Sequence, residues 1–202
     1  MNCKVLVVDL DGTLFKANTF HLFIKYLFLF GIRSFKFLFV TKLMLALSTR
    51  IYASHAKMKY RLLQVISNRN DIDYNYFVTL INSKKRNLSV LKENFDIKIL
   101  ATAAPYCYAR IIADNEKFDV CIATHMPTIK FNKEFENSKE VKKDNILKFL
   151  ESKRPYQIDT VVTDHIDDLS ILKLASRKLI VNPSEYFRQT LKKASISYSE
   201  IL

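Results

Sequence analysis

The chain has 202 residues, 49% of them hydrophobic, with only two Gly and four Pro, which allows one domain with a real core, or a core plus an insertion, and excludes a disordered chain. The formal charge is +12, and ten Lys and Arg fall within residues 16–70, which hold no Asp or Glu; the rest is nearly balanced. Cys3, Cys107 and Cys121 are odd in number and widely spaced, which excludes a disulfide framework and predicts thiols in a reducing cytoplasm.

The first signal is a strand, Val5-Leu6-Val7-Val8, that runs into Asp9-Leu10-Asp11-Gly12-Thr13. It begins almost at Met1, so no secretory leader is expected. Side chains alternate along a strand, so Asp9 and Asp11 share a side. Gly12 lets the backbone turn sharply and approach a ligand. The carboxyl end of a buried parallel strand is where open α/β sheets bind ligands.

Residues 20–47 are almost continuously apolar and rich in Phe, with a break at Gly31-Ile32-Arg33-Ser34. A single membrane span is disfavoured, since Arg33 and Lys36 near its centre would each cost roughly 2.5–3.5 kcal/mol on insertion scales. A span would also part Asp9 from the acidic strand end downstream. Two short helices are predicted instead. A helix apolar on most sides lies in a core or in lipid. Both readings stand: a hairpin dipping into an anionic membrane interface, or the core of a helical insertion or dimer contact. The cations call for an anionic partner, such as a membrane surface, a phosphorylated substrate or nucleic acid. Nucleic acid is set aside, because the aromatics are too consecutively apolar for a stacking groove.

A basic helix is predicted over 49–67 and another over 71–85, so residues 15–95 read as an all-helical insertion. Strands are then expected at 96–102, 118–123, 158–162 and 179–181, alternating with helices at 105–114, 141–152, 167–176 and 184–194. A hairpin is expected near 127–136. The alternation predicts an α/β fold, a Rossmann-like parallel sheet with helices on both faces.

Thr102 ends the second strand just before a helix, a place where a hydroxyl and backbone N–H groups bind phosphate. Lys139, Lys142 and Lys143 compete for the start of the 141–152 helix. The strand 158–162 ends in Thr163-Asp164-His165-Ile166-Asp167-Asp168. Three acids so close repel one another unless a cation offsets them, and oxygen ligands suit Mg²⁺.

Asp9-Leu10-Asp11-Gly12-Thr13 resembles the first motif of the haloacid dehalogenase (HAD) superfamily phosphatases. The strand ending in Thr102, a helix-start lysine and the Asp164–Asp168 loop resemble its later motifs, in order. The helical insertion after the first motif resembles the phosphoserine phosphatase-like branch. Nearer still in pattern are the phosphatidylglycerophosphatase C family and polyprenyl-linked phosphatase modules. Ala104, where Ser is common, and the missing glycine before the lysine depart from the pattern. The resemblance implies a catalytic core of residues 1–14 and 96–202 and a helical cap of 15–95. It implies a phosphatase in which Asp9 is the nucleophile and Asp11 the general acid and then base. Mg²⁺ is held by Asp9, the Asp11 carbonyl and Asp164, with Asp168 supporting the metal site. Thr102 and Lys143 bind the phosphoryl oxygens; Lys143 is preferred because Leu147 follows it by four. His21, His55 and His125 default to structural roles, and His165 holds its loop. The expected substrate is a membrane-associated phosphomonoester, handled in the cytoplasm or at the inner face of its membrane through residues 20–47. The alternatives are a small sugar or metabolite phosphate, or a non-catalytic phosphate- or membrane-binding protein.

Overall fold

The structure is a computed structural model that describes residues 3–152 and 155–201. Six parallel strands form one sheet in the order β3-β2-β1-β4-β5-β6. They are β1 (Cys3–Val8), β2 (Ile97–Pro105), β3 (Val120–Thr124), β4 (Tyr156–Thr163), β5 (Arg177–Val181) and β6 (Ser199–Ile201). Strand β1 sits at the middle because it carries the apolar run Val5, Leu6, Val7 and Val8, all buried. Its two faces feed two cores. Leu6 and Val8 join one with Leu100 and Val162, while Val5 and Val7 join the other with Ile99, Ile146 and Phe187.

Four helices lie between β1 and β2: α1 (Thr19–Arg33), α2 (Phe37–Tyr52), α3 (His55–Ile66) and α4 (Tyr74–Ile81). The Asn18, Ser54 and Asp73 side chains cap α1, α3 and α4 by accepting from backbone N–H groups in their first turns. Helix α1 runs through Gly31 and stops at Ser34, so the interruption lies slightly later than the sequence suggests. Gly31 serves packing: a Cβ there would meet Val40 Cγ2 at 2.7 Å, so α1 and α2 meet closely at this point.

The aromatic side of α1 is buried, and it is not a separate core. Phe23 packs on Phe77 of α4 and on Tyr108 of α5 (Tyr106–Asn115), each at 5.0 Å between ring centroids. Phe20, Phe23, Leu27, Phe77 and Tyr108 share one cluster with Leu6 and Val8 of the central strand. The helices α6 (Lys139–Glu151), α7 (Leu169–Leu172) and α8 (Glu185–Lys193) complete the chain.

Three expectations differ from the structure. Residues 125–138 form no hairpin; Phe131 and Phe135 turn inward against Tyr60 of α3. The helix expected over 167–176 is a 3-10 turn at Ile166–Asp168 followed by the short α7. Strand β6 was not predicted, being only Ser199–Ile201 on the sheet edge beside β5.

Candidate active site

The carboxyl ends of β1, β2 and β4 converge, and β1 pairs with both of the others. Successive connections leave β1 and its neighbours in opposite directions there, which opens a crevice beyond the sheet. A cleft of about 1030 Å³ occupies it, with Asp9, Asp11, Thr102, Lys142, Asp164 and Asp168 on its wall.

Asp9 directly follows β1, its N–H bonded to Val162 O of β4 at 2.9 Å. Lys142, in the first turn of α6, reaches over the sheet end. Its Nζ donates to Asp9 Oδ1 at 2.7 Å and to both Asp168 oxygens at 2.7 and 2.9 Å. Thr163 Oγ1 also donates to Asp168 Oδ2 at 2.7 Å. Asp168 therefore holds Lys142, and both of its oxygens are engaged.

The expectation for Lys143 is corrected. Lys143 Nζ bonds Glu140 Oε2 at 2.5 Å and lies 3.4 Å from Asp144, away from the cleft. One residue is about 100° of helix rotation, and the buried stripe of α6 is Lys142, Ile146 and Leu150. Leu147 is only half-buried. The apolar residue four after the lysine is Ile146, and the i, i+4, i+8 stripe is the signal that would have picked Lys142. Lys139 is exposed, at 3.9 Å from Asp167.

Asp11 Oδ1 accepts from Thr19 N at 2.7 Å and Thr19 Oγ1 at 2.6 Å, at the first residue of α1. Thr19 Oγ1 also meets Tyr108 OH at 3.0 Å. Burial pushes the Asp11 carboxyl above its ordinary value, against the pull of the Thr19 hydrogen bonds. Thr102 Oγ1 accepts from Ala104 N at 3.0 Å, which leaves its own O–H to donate. Asn137 steadies the Thr102 turn, giving its Nδ2 to Thr102 O and Ile122 O, each at 2.9 Å.

Gly12 is required where it stands. Its φ is +77°, and a Cβ there would fall 1.9 Å from Asp164 Oδ2. Asp164 Oδ1 accepts from Thr13 Oγ1 at 3.0 Å. Burial raises both Asp9 and Asp164; Lys142 pulls Asp9 down, and Asp168 and Asp164 push it further up. The ammonium of Lys142 bonds the carboxyl groups of Asp9 and Asp168, and Asp164 lies on the same cleft wall and acts on Asp9. Among the described residues no group of three or more His, Cys, Asp or Glu converges as a metal cluster. What remains is a pair of carboxylates, Asp9 and Asp164, on the wall of the cleft. That hard, anionic oxygen set fits a divalent cation which completes its shell with water and phosphate.

Residues that sequence reasoning missed lie on the far wall. Lys59 of α3 is buried; its Nζ donates to Ala103 O at 2.9 Å and pairs with Glu136. His55 Nδ1 stands 3.6 Å from the same carboxylate. His165 Nδ1 accepts from Asp167 N at 3.2 Å, so His165 shapes its loop. His21 and His125 are absent from the residues lining the cleft.

The fold and this strand-end arrangement define a class, an α/β protein with carboxylates gathered at the carboxyl ends of parallel strands. The model of the haloacid dehalogenase-like hydrolases matches residues 6–173, and the chain belongs to that family. No curated protein sequence matches the chain. Among solved structures it resembles a protein of unknown function from Bordetella pertussis Tohama I. The identity is 15%, the coverage 98% of this chain and 99% of that one, and the TM-score 0.75. A HAD family hydrolase from Salmonella enterica serovar Typhi shares 9% identity over 98% of this chain and 67% of its own, with a TM-score of 0.64. A phosphoserine phosphatase captured as a phospho-aspartyl intermediate analogue shares 12% identity over 99% of this chain and 94% of its own, with a TM-score of 0.58. The fold is thus shared with that phosphoserine phosphatase.

Proposed function

We propose that the protein is a Mg²⁺-dependent phosphomonoesterase working through an aspartyl-phosphate on Asp9. The observation that carries this reading is Lys142 Nζ, held between Asp9 and Asp168 on the wall of a cleft that also presents Asp11 and Thr102. Asp9 attacks phosphorus; the Asp9–phosphorus bond forms as the bond to the substrate oxygen breaks. Asp11 gives its proton to that leaving oxygen, and its raised affinity for the proton suits the task. Asp11 then takes a proton from the water that splits the aspartyl-phosphate. Lys142 and the Thr102 hydroxyl bind the equatorial oxygens, where charge collects in a loose phosphoryl transition state. Asp168 and Thr163 position Lys142. Asp9, Asp164 and the Asp11 carbonyl would hold Mg²⁺, which would supply positive charge to offset that of the phosphoryl group.

The substrate reading is a membrane-associated phosphomonoester, a phospholipid or polyprenyl-linked phosphate, met at an anionic membrane surface through residues 20–47. Residues 15–95 act as the cap over the core. Support comes from the cleft volume of about 1030 Å³, at the upper end for small-ligand sites, and from the basic, apolar insertion beside it. One observation favours a second reading, a small soluble sugar or metabolite phosphate: Phe20, Phe23 and Leu27 of α1 are buried in the shared core. No described helix is long and apolar enough to cross a membrane.

The test is phosphate release across lysophospholipid, phosphatidylglycerophosphate, polyprenyl and sugar phosphates, with Asp9→Asn as the blank. Release that stops in EDTA and returns with Mg²⁺ is expected, with lipid phosphates preferred. A metal-independent rate, or unchanged release by Asp9→Asn, overturns the mechanism. Release from sugar phosphates alone overturns the lipid substrate.

A further inference from the structure

We propose that the outer face of α2, with the turn before it, docks on a bilayer containing anionic phospholipid, the helix lying in the plane of the interface. The inner face of α2 is accounted for: Phe39, Leu43, Ala46 and Thr49 are buried. Its outer face is not. Phe37, Leu38, Met44, Leu45, Ile51 and Tyr52 are each more than half exposed, and Ile51 reaches 87%. They form two parallel rows, 37/44/51 and 38/45/52, with seven-residue spacing that keeps each row on one side of the helix. The stripe runs the length of α2, about 24 Å at 1.5 Å per residue.

The turn extends this surface. Phe35 has φ +53°, in the position after a helix end where Gly is usual. It is 79% exposed, and its ring meets Phe37, itself exposed. A bulky side chain held in that backbone conformation gains little from the chain's own packing.

Charge selects the occupant. Lys42 lines one groove with Leu38, Leu45 and Tyr52, and Arg33 ends the helix before the Phe35 turn; neither has an acidic partner among the described residues, and residues 16–70 contain no Asp or Glu. A second copy of the chain would set these cations against their own kind. Anionic headgroups meet the cations while acyl chains cover the stripe. At 16 residues α2 is shorter than the roughly 20 needed to cross, which leaves it in the interface. This deepens the membrane-substrate reading and rests on it for its purpose, but binding itself requires no turnover.

The chain has no tryptophan, which permits a clean probe. Leu45→Trp places one on the proposed face, and Tyr186→Trp, at an exposed site on α8, is the control. With mixed phosphatidylcholine/phosphatidylglycerol vesicles, Leu45→Trp emission should shift to the blue and Tyr186→Trp emission should stay. The combined variant Leu38→Ser, Leu45→Ser, Ile51→Ser should lose at least about tenfold in vesicle partitioning, with unchanged circular dichroism. Asp9→Asn should bind as the wild type does, so a failure of the phosphatase reading leaves this measurement standing. No blue shift, or equal binding to pure phosphatidylcholine, overturns the proposal. So does a concentration-dependent dimer in sedimentation that the serine variant abolishes, which would assign the face to a second copy.

Discussion

At the scale of the residue, the cleft is a balance of buried charge. Lys142→Ala should lower phosphate release by about 100-fold or more, because the donor to the phosphoryl oxygens and to Asp9 goes together. Lys143→Ala should stay within about twofold, as expected for an exposed pair. Steady-state rates on one soluble phosphate decide the order, and the reverse order would move the site. Glu136 offers a pH test. Burial alone would raise its carboxyl, but the His55 hydrogen bond and the Lys59 charge and hydrogen bond overcome this and hold it at about 2. A depressed carboxyl stabilises the fold above its unfolded value near 4.5 and loses that contribution as pH falls towards 2. Glu136→Gln should therefore cost about 2–3 kcal/mol at neutral pH, with the gap from wild type closing below about pH 4 in denaturant titrations. Asp9, Asp11, Thr102, Asp164 and Asp168 were legible in the sequence because strand-end motifs are local. Lys59, Glu136 and Asn137 were not: Lys59 meets its partners 44 and 77 positions away, and no local pattern marks such a pair. Lys142 was hidden among three lysines until the buried stripe of α6 separated them.

At the scale of the element, the strands from β1 to β5 were readable, since apolar runs bounded by turns carry them. β6 was not, because a three-residue edge strand has no pattern of its own. The 127–136 segment misled for a related reason: its two aromatics, Phe131 and Phe135, pack on Tyr60 rather than in a strand pair. For the apolar run 20–47 the sequence left two readings open; packing puts Phe20, Phe23 and Leu27 of α1 in the core and leaves Leu38, Met44, Leu45 and Ile51 of α2 exposed. Phe23 lies fully buried between α4 and α5, so Phe23→Ala should cost about 3–5 kcal/mol in unfolding free energy. Substitution of Leu38, on the exposed face of α2, should cost less than about 0.5 kcal/mol. Equal costs at the two positions would mean that α2 is covered by something in the isolated chain.

At the scale of the whole molecule, the cleft weakens the fold that builds it. Asp9 is raised to about 8 by burial, which outweighs the pull of Lys142, with Asp168 and Asp164 adding to the rise. Below about 3.8 both folded and unfolded chains hold that proton; as pH rises towards 8 the unfolded chain releases it first, so folding loses stability over that window. In EDTA, melting temperature should fall across this range, and Asp9→Asn should be more stable than wild type by about 1–3 kcal/mol near neutral pH. Mg²⁺ should narrow that gap by binding the native wild type. A variant less stable than wild type in EDTA would refute this charge balance. The placement of α1 has a mechanical consequence. Its first residue, Thr19, holds Asp11, and its last, Arg33, leads into the exposed Phe35 turn. Helix α1 is a stiff rod about 21 Å long with the acid at one end and the surface at the other. A pivot of about 5° at the outer end swings the inner end by about 2 Å over that length, enough to part a hydrogen bond. The exposed Phe35 turn and the carboxyl group at the centre of this protein are thus the two ends of one continuous helix.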